Sequence, residues 1–265
     1  TNIVTPIASV ITSIALDHQQ HLGDTLTEIA AEKSGIIKPR ISVFSTGHGT
    51  EISEVIRNVA AQNKAPVKFV ETEVDTCLAG KHQRLNSALA QAITRGLHSV
   101  FPIDDQAIVD GLANVQWAGR AQCFEKENQR LLIDAAHNPA SAEALRDVLQ
   151  ENFAGQRPIL LIGMLADKNW KSFVEILAPM AGRVVCIPVS SERTLAPAQL
   201  AEECRRHCSQ VIEVESLQEG LETVKDDPFV ILTGSIYLIG EAMEELGLAK
   251  AVGERGLNEW KMSQP

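Results

Sequence analysis

The stretch "RLLIDAAHNPASAEALRDVLQENFAGQRPILLIGML", Arg130 to Leu165, decides the fold. Two short apolar runs, "RLLIDAA" and "PILLIGML", flank a helical pattern near 139–152. Asn138-Pro139 opens that helix. The asparagine side chain can accept a free backbone N–H, and the proline ring presets the backbone of the first turn. Apolar runs without alternation belong to strands buried on both faces, and strands separated by helices run parallel. The same style continues through "RVVCIPV", "QVIEV" and "FVILTGS", with helices expected near 169–179, 197–208, 216–224 and 235–246. The fold class is therefore α/β, and residues 119–265 make a doubly wound domain on a mostly parallel sheet.

Working upstream, residues 1–118 are less regular. A strand is expected near 7–16, then a helix around Lys33, a strand near 41–44, a helix near 50–63, a strand near 67–70 and a helix over 81–95 closed by Arg95-Gly96. This is α/β again, but thin for an independent domain, and it reads as the later part of a larger sheet. Residues 1–16 carry no charge but contain Pro6 and several Ser, Thr and Asn residues, so a buried strand is expected rather than a signal peptide or membrane span. Entering a core strand so directly is how a fragment of something longer begins.

At 265 residues, with 45% hydrophobic and 22% charged residues, the chain has room for two domains or one large one. A formal net charge of −10 argues against a broad nucleic-acid-binding face, since phosphate backbones need a basic stripe. Anionic small molecules then have to be held in a local pocket. Five cysteines in no framework spacing point to reduced thiols and a cytoplasmic home. Cys204, His207 and Cys208 resemble a metal group, but without a second ligand pair they read as an incidental helix face.

Ligands of open parallel sheets bind beyond the carboxyl ends of the strands. Asp17-His18, Asp134 with His137, and Thr233-Gly234-Ser235 all stand at such ends, and helix N-termini there favour anions. His18 reads either as a hydrogen-bonded core histidine, as half of an HxxH pair with His21, or as a metal ligand. Thr25 and Glu28 form a capping box, after which Leu26, Ile29, Ala30 and Lys33 follow helical spacing, placing Lys33 on the stripe expected to be buried. Near the helix end Lys33 can snorkel and favour the C-terminal dipole. A desolvated lysine would instead become a nucleophilic amine, able to take up carbon dioxide as a carbamate and support a metal. Asn86 shares a helix face with His82, and Arg120 stands at the seam of the two halves, where a guanidinium clamps a phosphate or forms a salt bridge.

The segments "TSIALDHQQHLGDTLTEIAAEKSGIIKP", "GKHQRLNSALA", "WAGR", "LLIDAAHNP", "GMLADKNW" and "LTGSIYLIGE" occur in the order seen in the folylpolyglutamate synthase/dihydrofolate synthase family of Mur ligases, which the chain resembles from Thr1 to about Gly247. The resemblance implies an ATP-dependent ligase joining L-glutamate to a folate or dihydropteroate carboxylate through an acyl phosphate, with Mg²⁺. It implies a partial ATPase domain over 1–118 and a Rossmann-like glutamate ligase domain over 119–265. By resemblance His18 is the magnesium-binding histidine and Lys33 the carbamylated lysine. Asn86, Arg120 and Asp134 resemble residues that hold ATP, with His137 close to the transfer site. Partners are then small molecules, with neither nucleic acid nor membrane, on a monomer. The sequence departs from the family in one major respect. Its only Gly-Lys dipeptide, Gly80-Lys81, is followed by His82, so no phosphate loop of the Gly-Lys-Ser/Thr type occurs. Ala135 and Ser34 also stand where glycine and alanine are usual. The 265-residue chain alone is expected to be inactive. The alternatives are a non-catalytic nucleotide-binding remnant or another Mur-type amide ligase.

Overall fold

The computed structural model describes residues 2–17, 19–126 and 128–248. In the first half, β1 (Ser9–Ile11), β2 (Val43–Thr46) and β3 (Val67–Val70) pair in parallel in that order. The short α1 (Gln19–Leu22) and then α2 (Leu26–Ser34) follow β1. The capping box starts α2 as expected, with Thr25 Oγ1 accepting from Glu28 N and Glu28 Oε2 accepting from Thr25 N. Helix α3 (Thr50–Gln62) shares one core with α2, through Ile29, Ala30, Ile56 and Ala60 against Val43. Helix α4 (Lys81–Gly96) covers the other face of the sheet, with Ala88, Leu89 and Ala92 against Phe44 and Val70. Its last residue has to be small, because a Cβ on Gly96 would stand 2.4 Å from Phe44 Cζ.

Two expectations for this half need correction. The buried strand over residues 1–16 is three residues long, and Ile3 is 97% exposed with Val4 and Ile7 also exposed. Among the described residues β1 pairs only with β2, so the residues flanking it have no surface to be buried against. A further helix, α5 (Asp105–Asn114), was not expected; it buries only Ile108 and carries Gly111, which leaves almost no apolar periodicity to read.

In the second half, β4 (Gln122–Lys126) runs antiparallel to β5 (Gln129–Ile133) at the sheet edge. Strands β6 (Ile159–Ile162), β7 (Arg183–Cys186), β8 (Val211–Glu213) and β9 (Phe229–Thr233) complete a sheet in the order β4-β5-β9-β6-β7-β8, all parallel except β4. Its helices are α6 (Pro139–Asn152), α7 (Trp170–Leu177), α8 (Pro197–Cys204), α9 (Leu217–Thr223) and α10 (Ile236–Glu245). Consecutive strand residues point to opposite faces. Leu132 and Ile133, Leu160 and Leu161, and Val184 and Val185 are nonetheless all buried, because helices cover both faces. Each such side chain contributes roughly 1.5–3 kcal/mol relative to exposure, which is why the runs are unbroken. Helix α8 stops at Cys204, short of the expected 208. Cys204 and Cys208 lie in the core, Cys204 4.0 Å from Cys186, while His207 stands over Glu203. All five cysteines are free thiols.

Strand β9 enters between β5 and β6, so the direction of strand order reverses there and a crevice opens beyond the strand ends. The two halves meet along α4 and α6, where Arg84 bridges Glu73 at 2.7 Å and Glu151 at 3.2 Å. Among the described residues no helix is long and apolar enough to cross a membrane.

Candidate active site where the two sheets meet

The crevice gathers three loops of the second sheet. Asp134 to Asn138 follow β5, Gly163 to Lys168 follow β6, and Gly234-Ser235 follow β9. Backbone bonds fix these loops to one another, Gly234 N donating to Ala136 O at 3.0 Å and Gly163 N to Thr233 O at 3.3 Å. Gly234, at φ +112°, cannot carry a side chain: a Cβ would stand 2.4 Å from the carbonyl oxygen of Gly163. Asn138 caps α6 as expected, its Oδ1 accepting from Ser141 N at 2.9 Å, and Ser235 caps α10.

One carboxylate of the first half enters this crevice. Asp17, in the loop beyond β1, accepts from Lys168 Nζ through Oδ1 at 2.7 Å and from Asn138 Nδ2 through Oδ2 at 2.9 Å. His137 Nε2 lies 3.4 Å from the same Oδ2. The His137 Nδ1 atom faces the carbonyl oxygen of Ala135 at 2.9 Å; that oxygen and the Asp17 carboxylate can only accept, so His137 donates to both only as the doubly protonated imidazolium. The side chains are well removed from water, with Lys168 11% and Asp17 20% exposed. Desolvation alone would raise the Asp17 pKa, but the hydrogen bonds from His137, Lys168 and Asn138 outweigh it and hold the carboxyl well below the ordinary range.

Asp134, half-buried beside this group, accepts from Ala121 N through Oδ2 at 2.7 Å and from Ala136 N through Oδ1 at 2.8 Å. Burial still pushes its pKa above the ordinary value, against those two donors and the Arg120 charge. Arg120 is exposed at the seam. Its charge reaches His82 as well, where burial, then Arg120 and Arg84, push the imidazole pKa down. Asn86 is half-buried on α4 and donates to Gln83 Oε1 at 3.2 Å.

Among the residues singled out in the sequence, Asp134 lies within electrostatic reach of Arg120 and His137, and Arg120 within reach of His82 on α4. His18 lies outside the described residues. Lys33 requires a correction: it occupies the azimuth of Ile29 and Ala30, yet its side chain is exposed, while Ser34 is buried. Helical spacing identifies a face, and no described segment covers that face at Lys33. Asp17, Lys168 and Asn138 were not assigned as site residues from sequence. Asp17 and Lys168 stand within the quoted segments "ALDH" and "LADKNW", but their contact spans 151 residues and no local pattern announces it.

Residues 119–236 match the family model "Mur ligase, glutamate ligase domain". The chain is 28% identical to the dihydrofolate synthase/folylpolyglutamate synthase of Bacillus subtilis, over 93% of this chain and 64% of that protein. A structure of Escherichia coli FolC in complex with DHPP and ADP superposes with a TM-score of 0.82 at 26% identity, covering 93% of this chain and 63% of that one. A Yersinia pestis bifunctional folylpolyglutamate synthase/dihydrofolate synthase, complexed with AMPPNP and Mn ion, gives 0.78 at 26% identity, covering 93% and 63%. The chain thus spans a little under two thirds of the length of the relatives it matches.

Proposed function

We propose, from the premise that the chain belongs to the folylpolyglutamate/dihydrofolate synthase family of Mur ligases, that it supplies about half of the active site of an ATP-dependent folate:glutamate ligase. Residues 1–118 act as part of the nucleotide-binding half and residues 119–265 as the glutamate ligase half. The observation that carries this reading is the convergence of Lys168, Asn138 and His137 on Asp17, which joins the carboxyl ends of both sheets around one cleft.

The reaction takes place between three anionic reactants. An oxygen of the folate or dihydropteroate carboxylate attacks the terminal phosphorus of ATP, and ADP leaves with the electron pair of the broken P–O bond. The glutamate amine then attacks the acyl carbon. Phosphate departs with the C–O electron pair, and the amine loses a proton as the amide forms. Little covalent chemistry falls to the protein; positioning and charge neutralisation supply the rate. Arg120 is suited to a phosphate, as a planar guanidinium at the seam. Asn86 and Asp134 stand for the nucleoside end, and His137 for the transfer site, where its Nδ1 proton is committed to Ala135 and Nε2 faces the cleft.

A divalent ion belongs to this chemistry, and magnesium takes its ligands largely from phosphate and water. Among the described residues no group of three or more His, Cys, Asp or Glu side chains is placed to hold a metal. His18 is the residue proposed to contact the ion, and Lys33, once covered and carbamylated, to support it. The described residues do not make a metal cage by themselves, and no step above depends on one.

A second reading, a nucleotide-binding remnant without turnover, is favoured by the sequence around Gly80-Lys81, which opens α4 without the Ser or Thr that a phosphate loop supplies. Glutamate-dependent ADP release separates the two. The chain alone is expected to give none with either acceptor, and the chain joined to a segment carrying a phosphate loop is expected to give ADP only when glutamate and a folate or dihydropteroate acceptor are both present. Nucleotide binding without ADP release in the joined protein would establish the remnant, and turnover only with a nucleotide-linked muramyl acceptor would assign another Mur-type activity.

A further inference from the structure

The parallel strands β5, β9 and β6 begin at the end of the second sheet opposite the cleft, and two adjoining cavities open there. The first, about 240 Å³, lies beside the end of α6, between Leu149, Phe153, Pro158, Met180 and Phe229. The second, about 500 Å³, is lined by Arg130, Gln156, Arg157 and Phe229, with Glu125 as its one carboxylate among the described residues. Gln156 and Phe229 are walls of both, so an apolar chamber adjoins a basic one. Together they have the size and make-up of a small-molecule site, apolar walls with a few convergent polar groups.

A chain of net charge −10 thus turns two guanidiniums towards one cavity. Arg130 is accounted for by its neighbours. Its Nε and Nη2 donate to Glu125 Oε1 at 3.1 and 2.8 Å, across the β4–β5 pair. Its guanidinium lies 5.6 Å from the Phe153 ring centre and 5.9 Å from that of Phe229, and the two rings pack at 4.9 Å. Arg157 is not accounted for. Its Nη2 donates to Ala181 O at 3.0 Å, but no carboxylate among the described residues pairs with it. Asp227, next to the lining residue Pro228, is held by Arg183 instead. A guanidinium keeps its charge at any ordinary pH and matches a carboxylate through two parallel hydrogen bonds. Two guanidiniums against the single carboxylate of Glu125 leave one positive charge, which suits a monoanion.

We propose that these adjoining cavities bind a small amphipathic carboxylate, its flat aromatic body lodged against Phe153, Met180 and Phe229 and its carboxylate on Arg157. An aromatic body is favoured over an aliphatic one because the walls offer two packed rings, a guanidinium plane over them and a polarizable thioether. The site is separate from the cleft. Strand β9 runs from Phe229 here to Thr233 at the crevice, so an occupant of one leaves the other open. The proposal goes beyond the ligase reading and does not depend on it.

Titration of the full chain with 2-naphthoate, followed by backbone amide NMR shifts, tests the site. Saturable shifts are expected at Gly155, Gln156 and Phe229, while Gly163 and Gly234 at the crevice stay in place. The uncharged 2-naphthalenemethanol keeps the same body and loses the carboxylate. It is expected to bind the unaltered chain about tenfold more weakly, the factor carried by one lost charge-assisted hydrogen bond. Arg157→Ala should weaken 2-naphthoate by a similar factor and leave the alcohol unchanged. Gln156→Trp, an exposed position on the shared wall, should block both. No saturable shift at Gly155, Gln156 and Phe229, or shifts at the crevice instead, overturns the proposal. So does equal affinity for acid and alcohol, or an Arg157→Ala chain that binds the acid as the unaltered one does. The comparison of acid with alcohol uses only the unaltered protein, and it decides the matter even if a variant does not fold.

Discussion

Asp17 is where the two halves share a charge, and its protonation should govern how firmly they hold. Its folded pKa is depressed by His137, Lys168 and Asn138. The stability it contributes is therefore present above the ordinary carboxylate range and is lost as pH falls towards the folded value. Asp134 acts in the opposite sense. Its raised pKa means that a cost appears as pH rises through its unfolded value. Urea midpoints of the unaltered chain and Asp17→Asn should differ clearly at about pH 6, and the gap should narrow without closing by about pH 2, below the ordinary carboxylate range but still above the folded value; a constant gap would show that the depressed carboxyl is not the cause. Lys33 makes a second prediction. Exposed as it is, it should carry no carbamate in this chain, so mass spectrometry after an alkylating trap in bicarbonate should find Lys33 unmodified. A trapped carbamate there would mean that the amine is desolvated after all. The sequence placed Lys33 on the correct helix face and misjudged its exposure, because periodicity reports a direction and not what lies against it. Asp134, His137 and Arg120 were legible because strand ends and the seam locate them. Lys168 was not, because a contact spanning 151 residues leaves no local trace.

At the scale of elements, the crevice depends on how closely β9 and β6 approach beyond their last ladder bonds. Gly234→Ala puts a methyl at 2.4 Å from the Gly163 carbonyl oxygen, in a left-handed conformation, and is expected to cost about 3 kcal/mol. Gly240→Ala is its control: nothing lies within 4 Å of that position on α10, and the exchange should stabilise the helix by roughly 0.5–1 kcal/mol. Thermal unfolding of the two variants should shift in opposite directions, and equal shifts would show that the close approach of the strand ends is not needed. The elements themselves were largely readable. Runs such as "PILLIGML" are unbroken because both faces are covered, and caps such as Asn138-Pro139 and Thr25 with Glu28 mark helix starts by their own chemistry. The misses share a cause. Helix α5 buries one side chain and β1 has one paired edge, so neither carries the burial pattern that makes an element visible in sequence.

For the whole molecule, the claim on which the rest stands is that two separately built parallel sheets face one cleft and are held there by Asp17 and Lys168. Both residues are largely withdrawn from water, so the pair is screened less than a surface ion pair, and removing one partner strands the other. Replacing either side chain also removes the bond that fixes the β6 loop against the first half. The direct test is a double-mutant cycle in urea unfolding with Asp17→Asn, Lys168→Met and the pair together. The geometry predicts a coupling of about 2 kcal/mol, the double variant being markedly more stable than the sum of the single losses allows. Single losses that add to within about 0.5 kcal/mol would contradict the contact, and with it the cleft on which the proposed ligase chemistry depends.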